Sequence, residues 1–271
     1  KGGDESYYQG LAIHALQRFG VLVEETRTSA APPPTEPDPP LDAKVSFHLS
    51  RARELAAISL NRMAVAELDE LARPNPPGRL RPILIREYFR NQAYSRSLAL
   101  ANQLAGSNGE RNFYRFPLAF WNMVKQHAEE REIDPYLILA LIRQESLFDA
   151  RARSSAAALG LMQLLPSTAK RIAKQMGMSS PSPNALFEPE VNLALGTQYL
   201  KDLLQRYSNN WFKAIAAYNA GESAVDRWEK EIVTDDIEEF VERIPYSETR
   251  GYVKLVMRNH RIYKKLYDAA K

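Results

Sequence analysis

Apolar residues recur every third or fourth position in segment after segment, and the segments stop where proline or glycine interrupts them. A chain with this pattern must be mainly α-helical. Over 5–25 the spacing of Tyr8, Leu11, Ala15, Phe19 and Leu22 predicts a first helix. The run Ala31–Pro40 follows, with six prolines in ten residues, which excludes a helix and predicts a polyproline-like connector. From Leu41 to about Ala105 the pattern predicts two or three amphipathic helices. One is centred on Arg53–Leu60 and runs towards Leu71, one runs from Pro82 through Ile85 to Phe89, and one runs from Ser95 through Leu98 to near Gly106. Alanine-rich pairs joined by short breaks read as a helical, superhelical-repeat-like layer. Asn108–Pro117 makes the next boundary. The expected organisation is thus an N-terminal helix (1–30), a Pro-rich linker (31–40), a helical linker region (41–112) and a final domain (113–271).

Beyond that boundary, helices are expected at 118–130, 135–147, 166–176, 190–207, 211–220, 222–230, 236–243 and 248–267. Asp134-Pro135 fits an N-cap and first position, Gly177 and Gly221 fit helix-ending positions, and Asp235 or Asp236 fits another N-cap. The stretch Ala157–Leu165 lacks a helical period and is read as extended, in a small β-hairpin.

Composition removes several functions. The net charge is +3, with basic and acidic residues interleaved, and no basic stripe or motif suggests nucleic-acid binding. Cysteine is absent, which excludes thiol catalysis, disulfides and Cys-based zinc sites. The four histidines lack metal-ligand spacing, and neither a phosphate loop nor a nucleophile elbow occurs, so neither metal nor cofactor is assigned. No stretch approaches the roughly 20 apolar residues of a membrane span. The opening Lys1-Gly2-Gly3-Asp4 lacks the apolar core of a signal peptide, so location is not legible there.

One carboxylate stands out. At about 100° per residue, with Leu137 at zero, Leu141 falls near 40°, Ile138 near 100° and Ile142 near 140°. Glu145 falls near 80°, inside this apolar stripe, while Arg143 and Gln144 point elsewhere. Desolvation and the negative end of the helix dipole both disfavour a carboxylate there, so Glu145 is expected to keep its proton near neutral pH, as a general acid must. A solvated or ion-paired Glu at the helix rim is the competing reading.

Four further blocks carry a resemblance. Arg143-Gln144-Glu145-Ser146, Gly160–Ala169 (GLMQLLPSTA), Ala217–Gly221 (AYNAG) and Ile244–Val253 (IPYSETRGYV) resemble, in order and spacing, the soluble lytic transglycosylase family. The likeness is strong over 113–267 and weaker over 43–105, which resembles the family's helical linker region. It implies a lysozyme-like catalytic domain in the periplasm or cell envelope. The implied reaction cleaves the β-1,4 bond between N-acetylmuramic acid and N-acetylglucosamine of peptidoglycan, leaving a 1,6-anhydromuramyl end. Glu145 matches the family's single acid/base. Ser154, Gln163, Tyr218, Asn219 and Glu248 match substrate-binding positions, with Tyr218 beside the acid. Each has a structural alternative: a loop serine, an amide on local backbone, a buried tyrosine, a helix cap, a dipole partner. Asp149 is read as a turn cap, and Glu242, Tyr246, Arg250 and Tyr252 as packing or ion-pair residues behind the site. Rival readings are a goose-type lysozyme, which directs water to C1, and a non-catalytic glycan-binding envelope scaffold.

Overall fold

The computed structural model describes residues 6–19, 37–73, 75–104 and 108–268. The described chain is helical throughout, and it separates into two compact units. One holds the residues from Pro37 to Ala119, the other Tyr7–Arg18 together with the residues from Phe120 onward.

The first of these units contains α2 (Ala43–Ala57), α3 (Asn61–Ala72), α4 (Arg81–Arg90), α5 (Tyr94–Ala101) and α6 (Asn108–Arg115). Its core packs Leu49, Ala52, Leu68, Leu84 and Tyr88, each almost fully buried. The single helix expected through Arg53–Leu71 is in fact two. Ser59 adopts φ 61°, and the amide of Leu60 reaches back to the Leu55 carbonyl at 2.9 Å, the 6→1 bond of a Schellman-type stop. The boundary stretch from Asn108 also contains a helix, α6, which the polar composition there concealed. Of the proline-rich connector, Pro37–Pro40 are described, and they are irregular as expected. They are not a free strap: Asp38 is ion-paired to Arg53 at 2.6 Å and also to Arg86. Arg53 in turn meets the buried Glu87 at 2.7 Å.

The other unit contains α1 (Tyr7–Arg18), α7 (Trp121–Arg131), α8 (Pro135–Ser146), α9 (Pro166–Gln175), α10 (Pro189–Arg206), α11 (Trp211–Ala220), α12 (Glu222–Glu231), α13 (Ile237–Arg243) and α14 (Ser247–Tyr267). A 3₁₀ turn covers Pro183–Phe187. The expected first helix is seen over α1, while 20–25 lie outside the described residues. Asp134 caps α8 by accepting from the Tyr136 amide at 2.8 Å, and Asp236 caps α13 through two amides. Gly177 (φ 69°) and Gly221 (φ 83°) end their helices in conformations that suit glycine.

Helix α8 is the axis of this unit. Every residue from Tyr136 to Arg143 is buried, with α14 and α7 packed against it. This corrects the stripe picture: α8 is enclosed on all sides, and Arg143 lies inside, donating to Asn259 Oδ1 at 3.4 Å. Only its last turn emerges. Behind α14 sits α1, where Lys254 donates to the Tyr8 hydroxyl at 2.8 Å and pairs with Glu242 at 2.7 Å.

Among the described residues no β-strand is seen, so the expected β-hairpin is not confirmed. Two isolated antiparallel bridges, Arg153 with Leu159 and Leu159 with Leu164, hold an otherwise turn-like loop. Leu159 is shared by both bridges, which leaves too few consecutive pairs for strands. Side chains add to the few backbone bonds, such as the reciprocal pair between Leu159 and Leu164 at 3.0 Å, in holding the loop.

The left-handed Ser59 generates a stability prediction. Ser59→Gly removes the Cβ cost of that conformation, against glycine's greater loss of freedom on folding, for a net gain of about 0.5–1 kcal/mol. Equilibrium urea unfolding checks it, and a loss of stability would contradict the assigned stop.

Candidate active site

Glu145 occupies the last turn of α8, where the helix leaves the core. The chain then turns sharply. Leu147 and Phe148 both take left-handed φ values, 50° and 65°, which non-glycine residues rarely adopt. Phe148 is buried, and the amide of Asp149 returns to the Ser146 carbonyl at 3.0 Å, so packing and hydrogen bonding hold the corner against its strain. Asp149 accepts from the Arg151 amide at 2.9 Å, as a turn cap does.

The half-buried Glu145 carboxyl accepts a hydrogen bond from the Tyr252 hydroxyl. Burial raises its pKa from the ordinary 4.5 to about 7, while the Tyr252 bond pulls the other way by favouring the carboxylate. Burial also pushes the Tyr252 and Tyr218 phenols well above 10, reinforced by the Glu145 charge, so both remain protonated donors. Sequence reasoning missed Tyr252, which it read as a packing or ion-pair residue behind the site. The residue is indeed buried, but its hydroxyl tip is turned onto the acid. A signal was available: Glu248 and Tyr252 lie four residues apart, on one face of α14.

A loop built from 159–164 faces this helix end, and its backbone is pinned almost atom by atom. Ser146 Oγ donates to the Leu161 carbonyl at 2.7 Å, and Tyr218 donates to the Met162 carbonyl at 2.8 Å. Asn192, fully buried on α10, accepts from the Met162 amide at 2.8 Å and donates to the carbonyls of Leu159 and Leu186 at 2.9 and 2.8 Å. A Cβ on Gly160 (φ 78°) would fall 2.1 Å from the Leu186 carbonyl, and one on Gly196 would fall 2.4 Å from Met162 Sδ. Both glycines are required by close approach. Asn192 also escaped the sequence reading, although an amide within an otherwise apolar helical stretch is costly unless bonded.

The remaining expected site residues are distributed as follows. Gln163, at φ 47°, donates its Nε2 to the carbonyls of Ala152 (3.1 Å) and Gly160 (2.8 Å), so its amide braces the loop. Ser154 accepts from the Ala158 amide at 3.0 Å. Asn219 accepts from Thr249 at 2.7 Å and so joins the end of α11 to the start of α14. Glu248 is exposed in the first turn of α14, one turn before Tyr252. Of the residues read as lying behind the site, Glu242 pairs with Lys254, Arg250 donates to the Ile244 carbonyl at 2.8 Å, and Tyr246 packs edge-on to Trp228. Among the described residues, no cluster of His, Asp or Glu has metal-binding geometry.

Comparisons with known proteins find related sequences and folds. The transglycosylase SLT domain model matches residues 122–241. A soluble lytic transglycosylase helical domain model matches residues 243–271. The soluble lytic murein transglycosylase of Escherichia coli K12 is 35% identical over 218 residues, 80% of this chain and 33% of that protein. The membrane-bound lytic murein transglycosylase C of Edwardsiella ictaluri is 30% identical over 168 residues, 54% of this chain and 47% of that protein. The 70 kDa soluble lytic transglycosylase of Escherichia coli superposes with a TM-score of 0.75 at 32% identity, covering 96% of this chain and 41% of the solved chain. Its complex with bulgecin A gives 0.76 at 32% identity, covering 98% and 41%. The chain therefore spans about a third of the length of the first of these relatives. No described helix is long and apolar enough to cross a membrane.

Two predictions follow from the electrostatics of Glu145. Because its folded pKa lies above the ordinary value, the native state holds this proton more tightly than the unfolded chain does. Its burial is then best tolerated below pH 4.5, and stability falls as pH rises from 4.5 through about 7. Glu145→Gln is expected to abolish that fall, worth up to about 3 kcal/mol, in urea titrations at several pH values. Tyr252→Phe removes the bond that favours the carboxylate and moves the Glu145 pKa further up, as carbon-13 NMR of the labelled carboxyl reports. A downward move would refute the assigned direction of that bond.

Proposed function

We propose that this chain, whose residues 122–241 match the transglycosylase SLT domain, is a lytic transglycosylase acting on peptidoglycan. Residues 113–271 are then a lysozyme-like catalytic domain and 41–112 its helical linker region. The working location is the periplasm or cell envelope, consistent with relatives that include soluble and membrane-bound enzymes.

The observation that carries this reading is a carboxyl at the open end of a buried helix, with a pKa near 7 and one phenol bonded to it. A proton held there is available near neutral pH, and the group is neither too weak an acid to give it nor too weak a base to take one back. Glu145 protonates the glycosidic oxygen between N-acetylmuramic acid and N-acetylglucosamine. The resulting carboxylate then accepts the proton of the muramyl C6 hydroxyl as that oxygen closes on C1, giving the 1,6-anhydro product. The substrate supplies the nucleophile, so the second carboxylate of ordinary glycosidases has no task. Tyr252 stabilises the carboxylate between the two steps, and Tyr218 holds the Met162 carbonyl and with it the facing loop. The Gln163 amide keeps its carbonyl oxygen for a sugar donor while its Nε2 serves the loop. Ser154, Asn219 and Glu248 are assigned to the flanks of the glycan groove, with exposed Glu248 the one whose side chain is open to solvent.

Purified chain incubated with isolated sacculi is expected to release muropeptides ending in 1,6-anhydromuramic acid, read by mass spectrometry. Reducing ends in their place would mean that water is the nucleophile. Glu145→Gln is expected to lower the rate by at least about 10³-fold, the upper range of general acid–base contributions or beyond. Activity should fall as pH rises through about 7, because the protonated acid begins the reaction.

A further inference from the structure

One face of α14 is richer in cations than in partners for them. Lys254, Arg258 and Arg261 fall at i, i+4 and i+7, on the same side of the helix. The helix packed against them is α1, and Tyr7–Arg18 contains no acidic residue. Lys254 is answered from elsewhere, by Glu242 at 2.7 Å, and it also donates to the Tyr8 hydroxyl at 2.8 Å. Arg258 is not so served. It has no ion-pair partner among the described residues, and its Nε is buried without a hydrogen-bond acceptor. A charged donor left in that state is costlier than a neutral one. Arg261 passes beneath α1 at Gly10, where a Cβ would fall 2.5 Å from its Nη1, so the absence of a side chain there permits the close approach.

Gly10, Arg258 and Arg261 line a pocket of about 130 Å³ between the two helices, together with Tyr7, Phe212 and His260. The Tyr7 hydroxyl is a second buried donor without a partner. Burial, and then the charges of Glu238 and Glu242, push its pKa up, so it keeps its proton and can donate it to a hydrogen bond. Those two acids do not line the pocket, and Glu242 is held by Lys254. His260 is turned to Asp134, its Nε2 lying 3.0 Å from the carboxylate. The wall of the pocket therefore holds two guanidinium groups and a phenol, and no carboxylate.

We propose that this pocket is a binding site for inorganic phosphate, held by Arg258 from α14 and Tyr7 from α1, and that the anion fastens one helix to the other. The volume admits an ion of that size and excludes a nucleotide or a disaccharide. Its donors arrive from two helices. A tetrahedral oxyanion presents acceptors in both directions, whereas a planar carboxylate satisfies one edge of one guanidinium. The negative charge also takes the place of the acid that α1 lacks. Nothing in this site depends on the reaction assigned to Glu145.

Titration of inorganic phosphate into the purified chain tests this, with sodium chloride at matched ionic strength as the reference. Saturable binding is expected by calorimetry, and amide hydrogen exchange over Tyr7–Arg18 should slow in the bound state. Sulfate, of the same shape, should compete, and acetate should not. R258Q is expected to weaken phosphate by about tenfold, R258K to retain part of the affinity, and Y7F to weaken it by about threefold. R79Q, at an exposed cation of the other unit, should bind as wild type does. Circular dichroism checks the fold of each variant, and should R258Q fail to fold, R258K and Y7F carry the same comparison. Phosphate that acts no more strongly than chloride, or an affinity unchanged in the Arg258 and Tyr7 variants, overturns the site. Exchange in α1 that bound phosphate leaves untouched overturns its fastening role, and acetate binding as tightly as phosphate overturns the identity of the ion.

Discussion

A helix enclosed on every side can offer a polar side chain to a groove only at its ends. That constraint governs this molecule. From Tyr136 to Arg143, α8 is packed so completely that Glu145, in the final turn, inherits a largely dry environment without lying in the core itself. The shift in its proton affinity follows from position: the same carboxyl two turns earlier would be an isolated buried acid, and a few residues later an ordinary solvated one. The helix must also stop at once, and the consecutive left-handed Leu147 and Phe148 accomplish this. Phe148, anchored in the core, offsets a conformation that would otherwise relax.

The loop opposite Glu145 depends on side chains for what strands would normally supply. With only two bridges, its shape also rests on side chains from three different helices: Ser146 on α8, Asn192 on α10 and Tyr218 on α11. Helix α8 carries the acid and α11 packs on α14, which carries the tyrosine bonded to it, so the position of the loop and the position of the acid share one core. Gly160 and Gly196 admit this closeness, since neither position has space for a Cβ.

How much of this was legible in the sequence depended on whether the information was periodic or pairwise. Helix limits beyond 118 were readable to within a few residues, because caps such as Asp134 and Asp236 act locally. Local signals failed where long-range packing decided. The break at Ser59 has no proline or glycine to announce it, and the polar helix α6 has little apolar spacing to read. Arg143 looked solvent-facing because one periodic stripe cannot reveal that a second helix covers the opposite side. Glu145 could be singled out by spacing and by motif, whereas Tyr252 could not: 107 residues separate the two, and only the packing of α14 on α8 joins them.

That pairing also bears on how one residue can serve two opposite steps. Desolvation alone would make Glu145 a willing acid and leave an intolerable carboxylate after the first transfer. A strong cationic partner would do the reverse, stabilising the carboxylate so well that the proton is absent when the substrate arrives. A neutral phenol lies between these extremes. It donates to the carboxylate but adds no charge, and with its own pKa well above 10 it does not compete for the proton. The buried Arg143, two residues before Glu145, is kept from that role by its orientation towards Asn259 on the inner side of α14. The cations nearest along the chain on the other side, Arg151 and Arg153, stand in solvent beyond the corner. Charge is thus kept away from the proton on both sides of the helix end.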